Sequence, residues 1–120
     1  MTTDGKTLLI IDDEEDWLSL LEKLLSAEGY CVLTAQNCAG AMDILSRNRP
    51  HCIISDVRLG AEDGSMLCCR IKSAPGLSDI PVIMLSGIGE EPANCCCDAF
   101  VCKADSASSI LAAVKKALSK

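Results

Sequence analysis

The chain has 120 residues, of which 49% are hydrophobic and 23% charged, and its formal net charge is −6. That suffices for one domain with a hydrophobic core, and it excludes a disordered tail, a collagen-like rod and a coiled coil. An excess of carboxylates disfavours direct binding to nucleic acid or an anionic membrane, and no apolar run approaches the length of a bilayer span.

Residues 1–6 hold no basic-then-apolar ramp, so a cytoplasmic location without membrane insertion is expected. Short apolar runs at 8–11, 31–35, 52–55, 82–85 and 99–102 read as five strands. Several are almost continuously apolar, as in a parallel sheet covered by helices on both faces. Between the first two, residues 17–28 place Trp17, Leu20, Leu21, Leu24 and Leu25 on one helical stripe, which Gly29 ends. A second helix is expected over 39–48, with Met42 and Leu45 on one face, closed by Pro50. A shorter third helix is expected over 65–72, before the Pro75-Gly76 turn. The last helix, 106–120, has Ser106 as cap, Ile110, Leu111, Val114, Ala117 and Leu118 on one face, and lysines in its final turns. This alternation predicts an α/β, doubly wound five-stranded parallel sheet. The stretch 86–98 contains Gly87, Gly89 and Pro92, so the fourth helix is expected to be shortened or missing.

Nine cysteines are spread over the chain, at 31, 38, 52, 68, 69, 95, 96, 97 and 102. The odd count and the absence of any Cys-x-x-Cys spacing argue against a disulfide scaffold or a zinc ribbon. Most are expected to be reduced core or near-core thiols, although the run Cys95, Cys96, Cys97 falls in an irregular stretch. His51, after Pro50 at a strand start, is expected to be structural or solvated.

Polar residues gather just past the carboxyl ends of the expected strands: Asp12 and Asp13 after the first, Asp56 after the third, Ser86 after the fourth and Lys103 after the fifth. Open α/β sheets place their ligand crevice there. Three converging carboxylates repel one another unless a cation neutralises them, and Mg²⁺ suits a few carboxylates plus water. A lysine and a serine hydroxyl beside them suit an incoming phosphoryl group, which Asp56 could accept as an acyl phosphate.

The chain resembles a response-regulator receiver domain, the phosphoacceptor module of two-component signalling. The resemblance rests on Leu8-Leu9-Ile10-Ile11-Asp12-Asp13-Glu14, on Ile53-Ile54-Ser55-Asp56-Val57-Arg58-Leu59 with Asp63-Gly64, on Ile80-Pro81-Val82-Ile83-Met84-Leu85-Ser86, and on Phe100-Val101-Cys102-Lys103. It implies a flavodoxin-like fold with strand order 2-1-3-4-5, and a single receiver domain over 1–120 with no output domain. It further implies that Asp56 is phosphorylated, and that Asp13, Asp56 and the main-chain carbonyl of Arg58 hold Mg²⁺, with Asp12 acting through water. Lys103 would pair with the phosphoryl group, Ser86 would hydrogen-bond to it after moving inward, and Phe100 would be the switch aromatic. The implied donor is a sensor histidine kinase or a His phosphotransfer protein, and the downstream partner is a protein the sequence does not name. Catalysis would be confined to the domain's own Asp phosphorylation and dephosphorylation.

Two departures from the family pattern bear on this reading. Gly60 stands where a proline is usual, which should loosen the loop beside Asp56, and Ala104 replaces the proline that usually follows the lysine. The resemblance also implies that Arg58 and Ile88, two residues past Asp56 and Ser86, flank the route of the hydrolytic water. Since Ile88 cannot hydrogen-bond to that water and Arg58 could cover it, slow self-dephosphorylation is expected. The competing expectations are a degenerate receiver acting as a phosphorylation-independent interaction module, and a thiol-based sensor built on Cys95, Cys96, Cys97 and Cys102. A flavodoxin-like FMN carrier is excluded by the carboxylates of Asp12-Asp13-Glu14-Glu15, which would repel its phosphate.

Overall fold

The structure is a computed structural model that describes residues 6–87, 97–103 and 107–119. In chain order the elements are β1 (Thr7–Ile11), α1 (Glu15–Ser26), β2 (Cys31–Ala35), α2 (Cys38–Leu45), β3 (Cys52–Asp56), β4 (Arg58–Leu59), β5 (Glu62–Asp63), α3 (Gly64–Ser73), β6 (Val82–Ser86), β7 (Ala99–Cys102) and α4 (Ala107–Leu118). Five strands form one parallel sheet in the order β2-β1-β3-β6-β7, and β4 and β5 form a separate antiparallel pair. The expected fold and strand order are therefore present. The described residues contain four α-helices, and the segment expected to hold a shortened helix lies outside them.

Period-2 alternation divides the strand side chains between two cores. Leu8 and Ile10 of β1, Ile54 of β3, and Ile83 and Leu85 of β6 pack with Leu18, Leu21 and Leu25 of α1 and Ile110 and Val114 of α4. Leu9 and Ile11, Ile53, and Val82 and Met84 point the other way, against Ala41 and Leu45 of α2 and Leu67 and Ile71 of α3. Every residue of β3 and β6 is buried, as the central strands of a covered parallel sheet require. Burying each such aliphatic side chain contributes about 1.5–3 kcal/mol.

Helix α1 begins two residues earlier than expected, and its apolar stripe is rotated. Leu18, Leu21 and Leu25 face the core, Trp17 and Leu24 are half-buried beside it, and Leu20 is 55% exposed. Asp12 replaces a capping side chain here: its Oδ1 accepts a hydrogen bond from Glu14 N–H at 3.0 Å. Helix α2 is capped by Asn37, whose Oδ1 accepts from Gly40 N–H at 2.7 Å.

The pair β4–β5 was not foreseen. It is closed by Gly60-Ala61, with Gly60 at φ +63 and Ala61 not at positive φ, the signs of a type II′ hairpin turn. A proline, fixed near −65°, could not occupy that position. Glycine therefore builds a different ordered turn here in place of a loosened loop. Glu62 ties the turn to α2, its Oε1 accepting from Cys38 N–H at 2.9 Å.

At the amino ends of β6 and β7, Lys72 donates to the Ile80 carbonyl at 2.7 Å and pairs with Asp98 at 2.6 Å. The same Asp98 oxygen accepts from Val82 N–H at 2.8 Å, so α3, β6 and the entry to β7 share one clasp.

The cysteines with described structure that carry free thiols are Cys31, Cys38, Cys52, Cys68, Cys69, Cys97 and Cys102. Cys52 and Cys68 are buried as expected, and burial pushes the Cys52 thiol up to about 12, which makes it inert at neutral pH. Cys31 opens the edge strand β2 and is exposed, which corrects the expectation of a core position. Cys95 and Cys96 lie outside the described residues. His51 is exposed, and its Nδ1 accepts from Thr7 N–H at 3.0 Å, the structural role expected of it.

Candidate functional site

The carboxyl ends of β1, β3 and β7 bring Asp12, Asp13, Asp56 and Lys103 together. One carboxylate oxygen from each of the three aspartates lies within 4.8 Å of the others. Asp12 and Asp56 are buried and Asp13 is exposed, so the cluster has a closed floor and an open lip. A cavity lined by Asp13, Glu14, Asp56, Arg58, Gly60, Gly87 and Lys103 opens above it.

Lys103 reaches into this cluster from the end of β7, where its backbone N–H donates to the Ser86 carbonyl at 2.7 Å. Its Nζ donates to Asp56 Oδ2 at 3.0 Å and to Glu14 Oε1 at 3.4 Å, and stands 3.0 Å from Asp12 Oδ2. That last contact is an ion pair without a well-directed hydrogen bond, so the buried Asp12 Oδ2 has an unused lone pair.

Burial pushes Asp12 up to about 6; the Glu14 N–H and Lys103 oppose this, and the Asp56 charge adds to it. Asp56 is also raised, chiefly by burial, with Lys103 and the Arg58 N–H working against it and the Asp13 charge with it. Burial alone would lower Lys103, but its contacts with Asp12 and Asp56 outweigh that and raise it, so it stays an ammonium. Among the described residues, carboxylates outnumber cations at the site: Asp12, Asp13, Glu14 and Asp56 stand against Lys103 and, at the lip, Arg58. The donor set, hard oxygens with one orphaned buried lone pair, fits a small divalent cation.

Gly64 holds the floor in place. Its N–H donates to the Val57 carbonyl at 2.7 Å, and a Cβ at this position would collide with the Asp56 carbonyl oxygen. Glycine at 64 is therefore a steric condition for seating α3 beneath Asp56.

Two of the expected site residues stand apart from the cavity. Ser86 is buried at the end of β6 and does not line it, and Phe100 is 37% exposed on the edge strand β7. Phe100 lies against an apolar groove with Pro81, Ala99, Val101 and Ala113. Glu14 and Trp17, which the sequence reads as an exposed first-turn acid and a core residue, also belong to the site. Both contact Lys103, and the Trp17 ring centroid is 5.2 Å from its Nζ. The signal that could have found Trp17 is its place one helical turn beyond the acidic pair.

The response regulator receiver domain family model matches residues 8–116. The chain belongs to that family. Among curated relatives, it is similar to the transcriptional regulatory protein GlrR of Escherichia coli K12, with 40% identity over 71% of this chain and 19% of the relative. It is 34% identical to the transcriptional regulatory protein GltR of Pseudomonas aeruginosa, over 76% of this chain and 38% of that one. The receiver domain thus spans well under half the length of either protein. Among solved structures, it superposes on the receiver domain of a signal transduction histidine kinase from Syntrophus aciditrophicus with a TM-score of 0.88 at 33% identity, covering 96% and 91% of the two chains. It superposes on the response regulator TrrA of Thermotoga maritima, in complex with Mg²⁺ and BeF, with a TM-score of 0.86 at 25% identity, covering 94% and 99%. No described helix of this receiver domain is long and apolar enough to cross a membrane.

Proposed function

We propose that this receiver domain is a phosphoacceptor switch of a two-component phosphorelay, phosphorylated on Asp56 in a Mg²⁺-dependent reaction. The observation that carries the reading is the set of three carboxylates within 4.8 Å of one another, with Lys103 3.0 Å from two of them. Asp13, Asp56 and the Arg58 main-chain carbonyl would hold the cation, with Asp12 acting through water. When bound, the cation withdraws charge from the phosphoryl oxygens and screens them from the attacking carboxylate.

The remaining chemistry belongs to the chain. An Asp56 carboxylate oxygen attacks phosphorus, the P–N bond to the donor's phosphohistidine breaks, and the imidazole leaves as the acyl phosphate forms. Lys103 moves from Asp56 Oδ2 to a phosphoryl oxygen, a shift within reach of its 3.0 Å contact. Ser86 donates its hydroxyl to another oxygen after an inward movement of the β6 end, and Phe100 follows from its exposed position. The donor is a sensor histidine kinase or a His phosphotransfer protein, and the readout is an unidentified downstream protein. The 120 residues are read as one cytoplasmic receiver domain without an output domain among them. Self-dephosphorylation is slow, with Arg58 at the lip of the cavity and no polar side chain at Ile88, a position outside the described residues.

Intact mass after incubation with Mg²⁺ and acetyl phosphate or phosphoramidate tests this on wild type and Asp56→Asn. One phosphoryl adduct, dependent on Mg²⁺ and absent from the variant, is expected. No adduct and no Mg²⁺ binding would establish a phosphorylation-independent interaction module instead.

A further inference from the structure

We infer that Trp17 is a positioning residue for Lys103, its indole face holding the ammonium over the acidic pocket while the carboxylates change partners. This rests on the phosphoacceptor reading above. Lys103 Nζ has three anionic neighbours, Asp12, Asp56 and Glu14, and stands over the Trp17 ring at 5.2 Å from its centroid. A divalent cation in the pocket draws on Asp12 and Asp56, the two closest of those anions, and phosphorylation then consumes an oxygen of Asp56. The neutral ring is the neighbour with which a metal ion does not compete.

The setting supports a role beyond filling space. Trp17 is half-buried against the core, and its Nε1–H finds no acceptor among the described residues, so its contribution to the site is made through the ring face. The Lys103 backbone is held at the end of β7 by its N–H bond to the Ser86 carbonyl at 2.7 Å, which leaves the direction of the side chain to its own contacts. With the side chain only 17% exposed, the contact is partly desolvated, the condition under which a cation–π interaction is strongest. Lys103 also lines an apolar pocket together with Trp17, Leu20, Leu24, Ala107 and Ile110, on which its methylene stem can lie while its head meets the carboxylates.

The experiment compares wild type, Trp17→Phe and Trp17→Leu by the initial rate of Mg²⁺-dependent phosphorylation with phosphoramidate, alongside Mg²⁺ affinity and thermal midpoint. Trp17→Leu should lower the rate about three- to tenfold with Mg²⁺ affinity unchanged, and Trp17→Phe should recover most of it, since a ring of either kind offers a π face. As Trp17 is the single tryptophan, its emission reports the contact directly, and Lys103→Met should change that emission without any phosphodonor. Equal rates in Phe and Leu variants, or a Leu variant that loses rate only in proportion to its stability, would overturn the assignment. Emission indifferent to Lys103→Met would do the same. A wild type that takes up no phosphoryl group would remove the phosphoacceptor reading and this role with it, whereas the variant comparison fails alone.

Discussion

Replacing Asp12 with Asn should make the metal-free domain more stable while weakening its hold on Mg²⁺. The Asp12 carboxyl is buried and its pKa is raised from 3.8 to about 6. A raised acid binds its proton more tightly in the folded state, so between about pH 4 and 6 the folded chain carries the extra proton and stability falls as pH rises through that window. Above pH 6 the ionised carboxylate costs roughly two pKa units, or about 3 kcal/mol. Asn keeps the Oδ1 that accepts the Glu14 N–H but gives up the 3.0 Å attraction to Lys103. That attraction is already counted in the raised pKa, so the net gain is up to about 3 kcal/mol, on the order of 10 °C in thermal midpoint for a domain of this size. Thermal melts in EDTA should show that rise at pH 7.5, shrinking as the pH is lowered from about 6 to about 4. With Mg²⁺ added, the variant should gain less than wild type does. A variant no more stable than wild type at pH 7.5, or a gain that does not vary with pH, would refute the reasoning.

For the same reason, Mg²⁺ affinity in the wild type should weaken by up to about tenfold per unit below pH 6, measured as the Mg²⁺-induced shift in midpoint at pH 7.5 and 5.0. Gly64→Ala should cost at least about 2 kcal/mol and displace Asp56, because the new Cβ meets the Asp56 carbonyl; urea unfolding and Mg²⁺ titration together would show both effects. Gly60→Pro should destabilise by about 1–3 kcal/mol, since φ +63 is closed to proline, and a variant as stable as wild type would contradict the turn described here. Lys72→Met should cost about 1–3 kcal/mol by leaving Asp98 without its 2.6 Å partner, and Asp98→Asn in the same background should recover part of it in a double-mutant cycle.

The strands were legible because the apolar runs are strong: Ile53 and Ile54 face opposite cores, and both had to be apolar; their order came from the family resemblance. The acidic pair, Asp56 and Lys103 were legible because parallel topology sends the carboxyl ends of strands to one edge whatever the loops do. The rotation of α1 was not. The expected stripe of Trp17, Leu20, Leu21, Leu24 and Leu25 held two of the three buried leucines, Leu21 and Leu25, but only the packing of the sheet chooses Leu18 over Leu20 as the third. The hairpin 58–63 was also hidden, since two-residue strands leave no periodic signal. Its glycine turn read as a loss of proline when it was a gain of positive φ. Ser86 and Phe100 were identified by position in the family motif; that Ser86 is buried off the cavity and Phe100 is exposed on β7 is set by packing and is not encoded locally.

Strand β7 is held very differently at its two ends. Its entry is riveted by the Lys72–Asp98–Val82 clasp, whereas its exit carries Lys103, whose ammonium is shared between carboxylates and a ring. The strand is thus a lever with a fixed fulcrum at residue 98 and a loaded tip at 103, roughly 16 Å of chain apart at strand rise. Between the two ends β7 pairs with β6 from Ala99 to Cys102, so a load at the tip is carried down that ladder, and Phe100 lies midway along it. Amide exchange should mirror this, slow at Val82 and Asp98 and responsive to Mg²⁺ at Cys102 and Lys103.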